Sequence, residues 1–121
     1  MSMLLPPNKV VVGDSPLHGR GVFAAVDIAK DETVEECHFV LITDGDFKQL
    51  ESLKDYVYTY PKLSKNNAIV FGEASIYNHS DTPLADWVTD TDREVFVFYA
   101  LEDIAAGTEI TIDYQTPSQN F

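Results

Sequence analysis

The chain reads as a mainly β domain with one short helix, and three observations carry that reading. Short apolar runs rich in Val, Ile, Phe and Tyr recur along its 121 residues. Gly-, Pro- and Asp-rich turns separate them at close intervals, the signature of short strands. Only one stretch places its apolar residues at helical spacing.

Taken in order, the expected strands are Lys9–Val12, Gly21–Val26, Thr33–Ile42, Ala68–Phe71, Glu94–Ala100 and Glu109–Tyr114. Each combines β-branched or aromatic residues with flanking turn residues. The helix is expected after Asp46, which can cap it, with Phe47, Leu50, Leu53 and Val57 recurring at helical spacing through Tyr56. The run Val95 to Tyr99, "VFVFY", is apolar at both parities, so both of its faces should be buried. "DIAKDETV" at 27–34 and "DIAAGTEI" at 103–110 echo each other, as two similar strand-turn-strand connections would.

With 45% hydrophobic residues, a chain of this length is one domain with one core. The lone cysteine, Cys37, excludes an internal disulfide, and no Cys/His cluster has the spacing of structural zinc, so packing must hold the fold. The opening "MSMLLPPNKV" lacks the basic segment and apolar core of a secretion signal, and no apolar run approaches the roughly 18 residues of a membrane helix. A soluble, intracellular protein is therefore expected. Twenty acidic against eight basic residues give a net charge of −12. The excess is uneven, because residues 66–121 carry ten Asp or Glu against a single arginine. Such a field repels nucleic acid and anionic membranes and attracts cationic partners.

Several short motifs stand out in a fixed order. "SPLHGRGVFA" contains two glycines around Arg20, and glycine permits positive φ and close ligand approach. It is followed by "VEEC" at 34–37, "KDY" at 54–56, "YNHS" at 77–80 with a proline soon after, and "EITIDY" at 109–114. Alone, each is ordinary: a Gly-x-Gly turn is usually only a turn, and an Asn-His pair is usually a buried polar cluster.

Together, in this order and at these spacings, they resemble the SET domain family of protein lysine methyltransferases, over about residues 9–114. The likeness is greatest to minimal, stand-alone SET proteins of viral type. It implies a β-clip fold, with several small sheets and a C-terminal pseudoknot-like crossing, as a single SET domain over 1–121 with the short tail 115–121 and no zinc-binding segment after it. It also implies that Asn78 and His79 bind S-adenosylmethionine, that His18, Gly19, Arg20 and Gly21 form a second cofactor wall through their main chain, that Tyr114 is the catalytic tyrosine, and that Tyr56 lines the substrate lysine channel. S-adenosylhomocysteine would be the product, and no metal is required.

These residue types suit that chemistry. Methyl transfer to an amine is an in-line displacement in which positioning supplies much of the acceleration. The lysine ammonium, with a reference pKa of about 10.4, must lose its proton, and an aromatic channel beside a sulfonium favours the neutral amine. The implied substrate is a lysine in a basic protein such as a histone, drawn by the acidic field, with Asp86, Asp90 and Asp92 as candidates for the acidic rim. A SET-fold module that binds a basic peptide or the cofactor without turnover is the alternative. Two positions depart from the family pattern Asn-His-Ser-Cys-x-Pro-Asn: Asp81 replaces the cysteine and Leu84 the final asparagine. After Tyr114 only "QTPSQNF" follows, leaving Phe121, a partner subunit in a homodimer, or the substrate to cover the site.

Overall fold

The computed structural model describes residues 9–49, 56–62 and 64–114. Among these residues ten short strands form three small sheets, accompanied by one helix: β1 (Val10–Asp14), β2 (Arg20–Ala24), β3 (Thr33–Cys37), β4 (Phe39–Ile42), α1 (Asp44–Lys48), β5 (Tyr58–Thr59), β6 (Asn67–Val70), β7 (Asn78–His79), β8 (Ala85–Asp90), β9 (Val95–Ala100) and β10 (Glu109–Ile112). The sheet orders are β1-β2-β10-β7, β3-β9-β8 and β4-β6-β5. All pairs are antiparallel except β10 with β7, where Thr111 faces Asn78 and Ile112 faces His79. Segment 78–84 folds around the end of β10, as Ser80 N–H donates to Ile112 O and Leu84 N–H to Thr111 O. This is the expected crossing.

All six expected strands occur, with shifted ends. The run at 33–42 divides at His38, because β3 joins β9 while β4 turns away to join β6. The N-cap of α1 is Thr43, whose hydroxyl accepts from Asp46 N–H, so Asp46 lies inside the first turn and does not cap it. The helix closes at Gln49, and Leu50, Leu53 and Lys54 lie outside the described residues. In "VFVFY" Val95, Phe96 and Phe98 are buried, whereas Val97 and Tyr99 are half-buried. Tyr58 meets Trp87, Phe96 and Phe98 edge-to-face in an aromatic cluster within the core, and its hydroxyl donates to Ala74 O at 2.6 Å.

The echo at 27–34 and 103–110 is a pseudo-twofold axis. Residue 103 against residue 27 gives a spacing of 76, at which the contacts of the two turns have their mates, while β1 matches β8 one residue short of it, Val10 opposite Ala24 answering to Ala85 opposite Ala100. Ile28 and Ile104 exchange backbone hydrogen bonds at 2.8 and 2.7 Å. Asp27 accepts from Ala106 N–H at 2.8 Å, and Asp103 accepts from Lys30 N–H at 2.9 Å. Asp31 and Gly107 both have positive φ, at 69° and 89°. The same operation relates β1, β2 and β3 to β8, β9 and β10, so the sheet cores β1-β2-β10 and β8-β9-β3 are copies of one plan.

Candidate active site

A cavity of about 320 Å³ is lined by Leu17, His18, Tyr56, Asn78, His79 and Tyr114. Five of these six are residues that the motifs single out, brought together from the β1–β2 turn, the segment before β5, β7 and the end of β10. The parallel β7–β10 pair explains the convergence, because it sets the Asn-His pair beside the strand that delivers Tyr114.

Tyr114 is anchored at both ends of the residue. Its N–H donates to His79 Nδ1 at 2.9 Å, and its hydroxyl donates to the Tyr77 carbonyl. Since Nδ1 accepts, the His79 ring is the tautomer protonated at Nε2, which donates to Asp81 Oδ1 at 2.9 Å. Asp81, a departure from the family pattern, thus orients the histidine. Leu84, the other departure, works through its backbone: its N–H reaches Thr111 and its carbonyl accepts from Leu101 N–H. Its side chain, partly buried, packs against the core.

Asn78 is 7% exposed and sits at a hub. Its Nδ2 faces Glu109 Oε2 at 2.8 Å, Arg20 O at 3.0 Å, Ser15 Oγ at 3.2 Å and His18 O at 3.3 Å. Gly19, Arg20 and Gly21 therefore stand beside the cavity and not in its lining. Arg20 O accepts from Asn78, and Gly19, at φ 49°, turns the chain and accepts from Ser15 N–H. Gly21 has a reason that the motif alone does not reveal. A Cβ there would lie 2.3 Å from Glu109 Oε2, so only glycine lets that carboxylate reach Asn78. Ser15 and Glu109 escaped the sequence reading because their roles depend on contacts 94 residues apart in the chain.

Glu35, 4% exposed, accepts from the hydroxyl of Tyr77, the residue whose carbonyl holds Tyr114, at 2.7 Å. Burial pushes its carboxyl above the ordinary range, against the opposing pull of hydrogen bonds from Tyr77, Glu73 N–H and the Cys37 thiol. The Cys37 thiol is itself pushed up by burial and by the neighbouring Glu35 charge. The expected acidic rim is partly engaged in holding structure. Asp86 pairs with Lys62 at 3.1 Å, and Asp90 accepts from the Asp92 and Arg93 amides in the β8–β9 turn. No group of three or more potential metal ligands occurs among the described residues. No helix there is long and apolar enough to cross a membrane.

The chain matches the SET domain family over residues 19–115. It is 26% identical over 110 residues to a Schizosaccharomyces pombe histone-lysine N-methyltransferase specific for H3 lysine-37, covering 88% of this chain and 74% of that protein. Its fold is similar to that of a candidate histone methyltransferase of Plasmodium falciparum, with a TM-score of 0.73, 31% identity, and coverage of 88% of this chain and 92% of the other. It also superposes on the Neurospora SET domain protein DIM-5, a histone lysine methyltransferase, with a TM-score of 0.70 at 19% identity, over 87% of this chain and 51% of that one.

Proposed function

The chain belongs to the SET domain family of protein lysine methyltransferases, and on that premise we propose that it transfers a methyl group from S-adenosylmethionine to a lysine side chain of a basic protein, of which a histone is the leading candidate. The observation that carries the proposal is the convergence of Tyr56, Asn78, His79 and Tyr114 on one cavity. Its volume lies in the range of about 300–1,000 Å³ usual for small-molecule sites.

The residues fit the cofactor. Asn78, whose amide nitrogen is saturated from within, has only its oxygen left for a ligand, and a ligand with an amino group needs such an acceptor. When bound, S-adenosylmethionine supplies an electrophilic methyl group, which the lysine nitrogen takes as the carbon–sulfur bond breaks to leave S-adenosylhomocysteine. The hydrogen bond that the Tyr114 hydroxyl donates to the Tyr77 carbonyl fixes where its oxygen stands, so that it can orient a polarised methyl group or the incoming amine. Tyr56 and Tyr114 supply aromatic walls, which exclude water and favour the neutral amine. The net charge of −12 favours encounter with a basic segment.

The test is transfer of radiolabelled methyl groups to a panel of basic proteins, with calorimetry on the cofactor alongside. Tyr114→Phe should keep cofactor binding and lose about 100-fold or more in rate, the scale of removing one positioned polar group from an active site. Cofactor binding without transfer by the unaltered protein to any basic substrate would replace the enzyme with a binding module.

A further inference from the structure

We propose that Glu109 is a positioning residue for the cofactor, fixing the Asn78 amide so that its oxygen faces the cavity and adding negative charge behind it. The proposal rests on the cofactor site of the preceding subsection and assigns it a residue outside the Asn-His pair. Glu109 starts β10 and divides its carboxylate between two tasks. Oε1 accepts from the Ser15 hydroxyl at 2.7 Å and Oε2 accepts from Asn78 Nδ2 at 2.8 Å.

Asn78 has two amide hydrogens and four acceptors within 3.3 Å of the nitrogen. Turning the amide over would set Oδ1 against a carboxylate and two carbonyls, all acceptors, so only one orientation survives. In that orientation no described residue donates to Oδ1, yet no buried side-chain polar atom lacks a partner, which leaves Oδ1 at the cavity surface. Among the described residues no lysine or arginine forms an ion pair with Glu109. Its charge is therefore uncompensated by a cation and favours a positive group on the ligand. In S-adenosylmethionine and S-adenosylhomocysteine the amino group is the charged group able to donate hydrogen bonds to such a wall. Ser15 extends the device: it accepts from the Leu17 and His18 amides at 3.0 and 3.5 Å, tying the turn that carries two cavity residues to the same carboxylate. Gly21 is the clearance that allows it.

The experiment uses the full chain with three probes. Calorimetry compares S-adenosylhomocysteine with its analogue lacking the amino group, and ¹⁵N–¹H spectra follow the Asn78 carboxamide, identified by its disappearance in Asn78→Ala. Glu109→Gln keeps the volume and should weaken S-adenosylhomocysteine about tenfold, as loss of a charge-assisted interaction does. It should weaken the deaminated analogue far less and leave the rate at saturating cofactor nearly unchanged. Glu109→Ala should shift the Asn78 carboxamide signals toward those of a solvated amide in the free protein. Gly21→Ala, which displaces the carboxylate without removing it, should reproduce both effects if Glu109→Ala does not fold. Equal losses for the two ligands, or an unchanged Asn78 signal and unchanged affinity in a folded Glu109 variant, would overturn the inference while the cofactor site stood. Failure of the unaltered protein to bind S-adenosylhomocysteine would instead overturn the site itself.

Discussion

Val12 and Trp87 occupy equivalent places in the two halves of the pseudo-twofold plan, opposite Val22 and Phe98 respectively, yet Val12 is 38% exposed and Trp87 only 2%. The contrast continues along the paired strands. Arg20, Gly21 and Val22 in β2 correspond to Phe96, Val97 and Phe98 in β9. The second half fills its strands with large side chains that knit the core, whereas the first keeps them small and polar around the cavity. One backbone scheme thus serves two purposes, and side-chain volume decides which half packs and which half leaves room for a ligand.

The largest effect that can break this comparison is on stability. Trp87→Ala should cost about 3–5 kcal/mol in urea unfolding, as truncation of a fully buried aromatic does. Val12→Ala at the equivalent place should cost within about 0.5 kcal/mol, as for an exposed surface residue. Comparable losses would mean that both halves carry the core.

A smaller effect sharpens the symmetry. Asp27→Ala and Asp103→Ala each remove one hydrogen bond across the pseudo-axis and should each cost about 1 kcal/mol. Both bonds brace the same Ile28–Ile104 bridge, so the double variant should depart from the sum of the singles. Strict additivity in thermal or urea unfolding would show that the two turns stand independently.

The smallest effect concerns Glu35, a buried carboxyl in β3 on the packed side of the plan. Glu35 titrates above its ordinary value of 4.5, chiefly because burial disfavours the charge. Its contribution to stability is fully present below 4.5, where folded and unfolded chains both hold the proton. That contribution is lost as pH rises toward and through the raised folded value, because the unfolded chain releases its proton first. Glu35→Gln should therefore gain stability relative to the unaltered chain between pH 4.5 and neutrality, with no such gain in acid. A parallel pH dependence for the two proteins would show that Glu35 ionises freely in the folded state.

How much of this was legible depended on whether the cause was local. Strands at 10, 20, 33, 67, 95 and 109 announce themselves by apolar, β-branched runs. β8 was missed because Asp86 and Asp90 bracket it and read as acidic loop, although Ala85 and Trp87 alternate as a half-buried strand should. β7 is two residues long and exists through its pairing with β10, so it leaves no local pattern. The motifs located Asn78, His79, Tyr56 and Tyr114 at the cavity. Glu109 lies inside a recognised motif, but its task is set by Ser15 and Asn78 from distant parts of the chain.

The parallel pairing of β10 with β7 has a consequence in time. Asn78 and His79 leave the ribosome more than thirty residues before Tyr114, and the segment around them gains its ladder partner only when Thr111 and Ile112 arrive. Such distant pairings form late, because chain closure must precede the contacts that reward it. A nascent chain lacking β10 therefore has neither the Tyr114 wall of the cavity nor the Glu109 contact to Asn78. Conversely, any ligand that needs the assembled cavity holds the final strand in place by mass action, so occupancy should protect the β10 amides from hydrogen exchange.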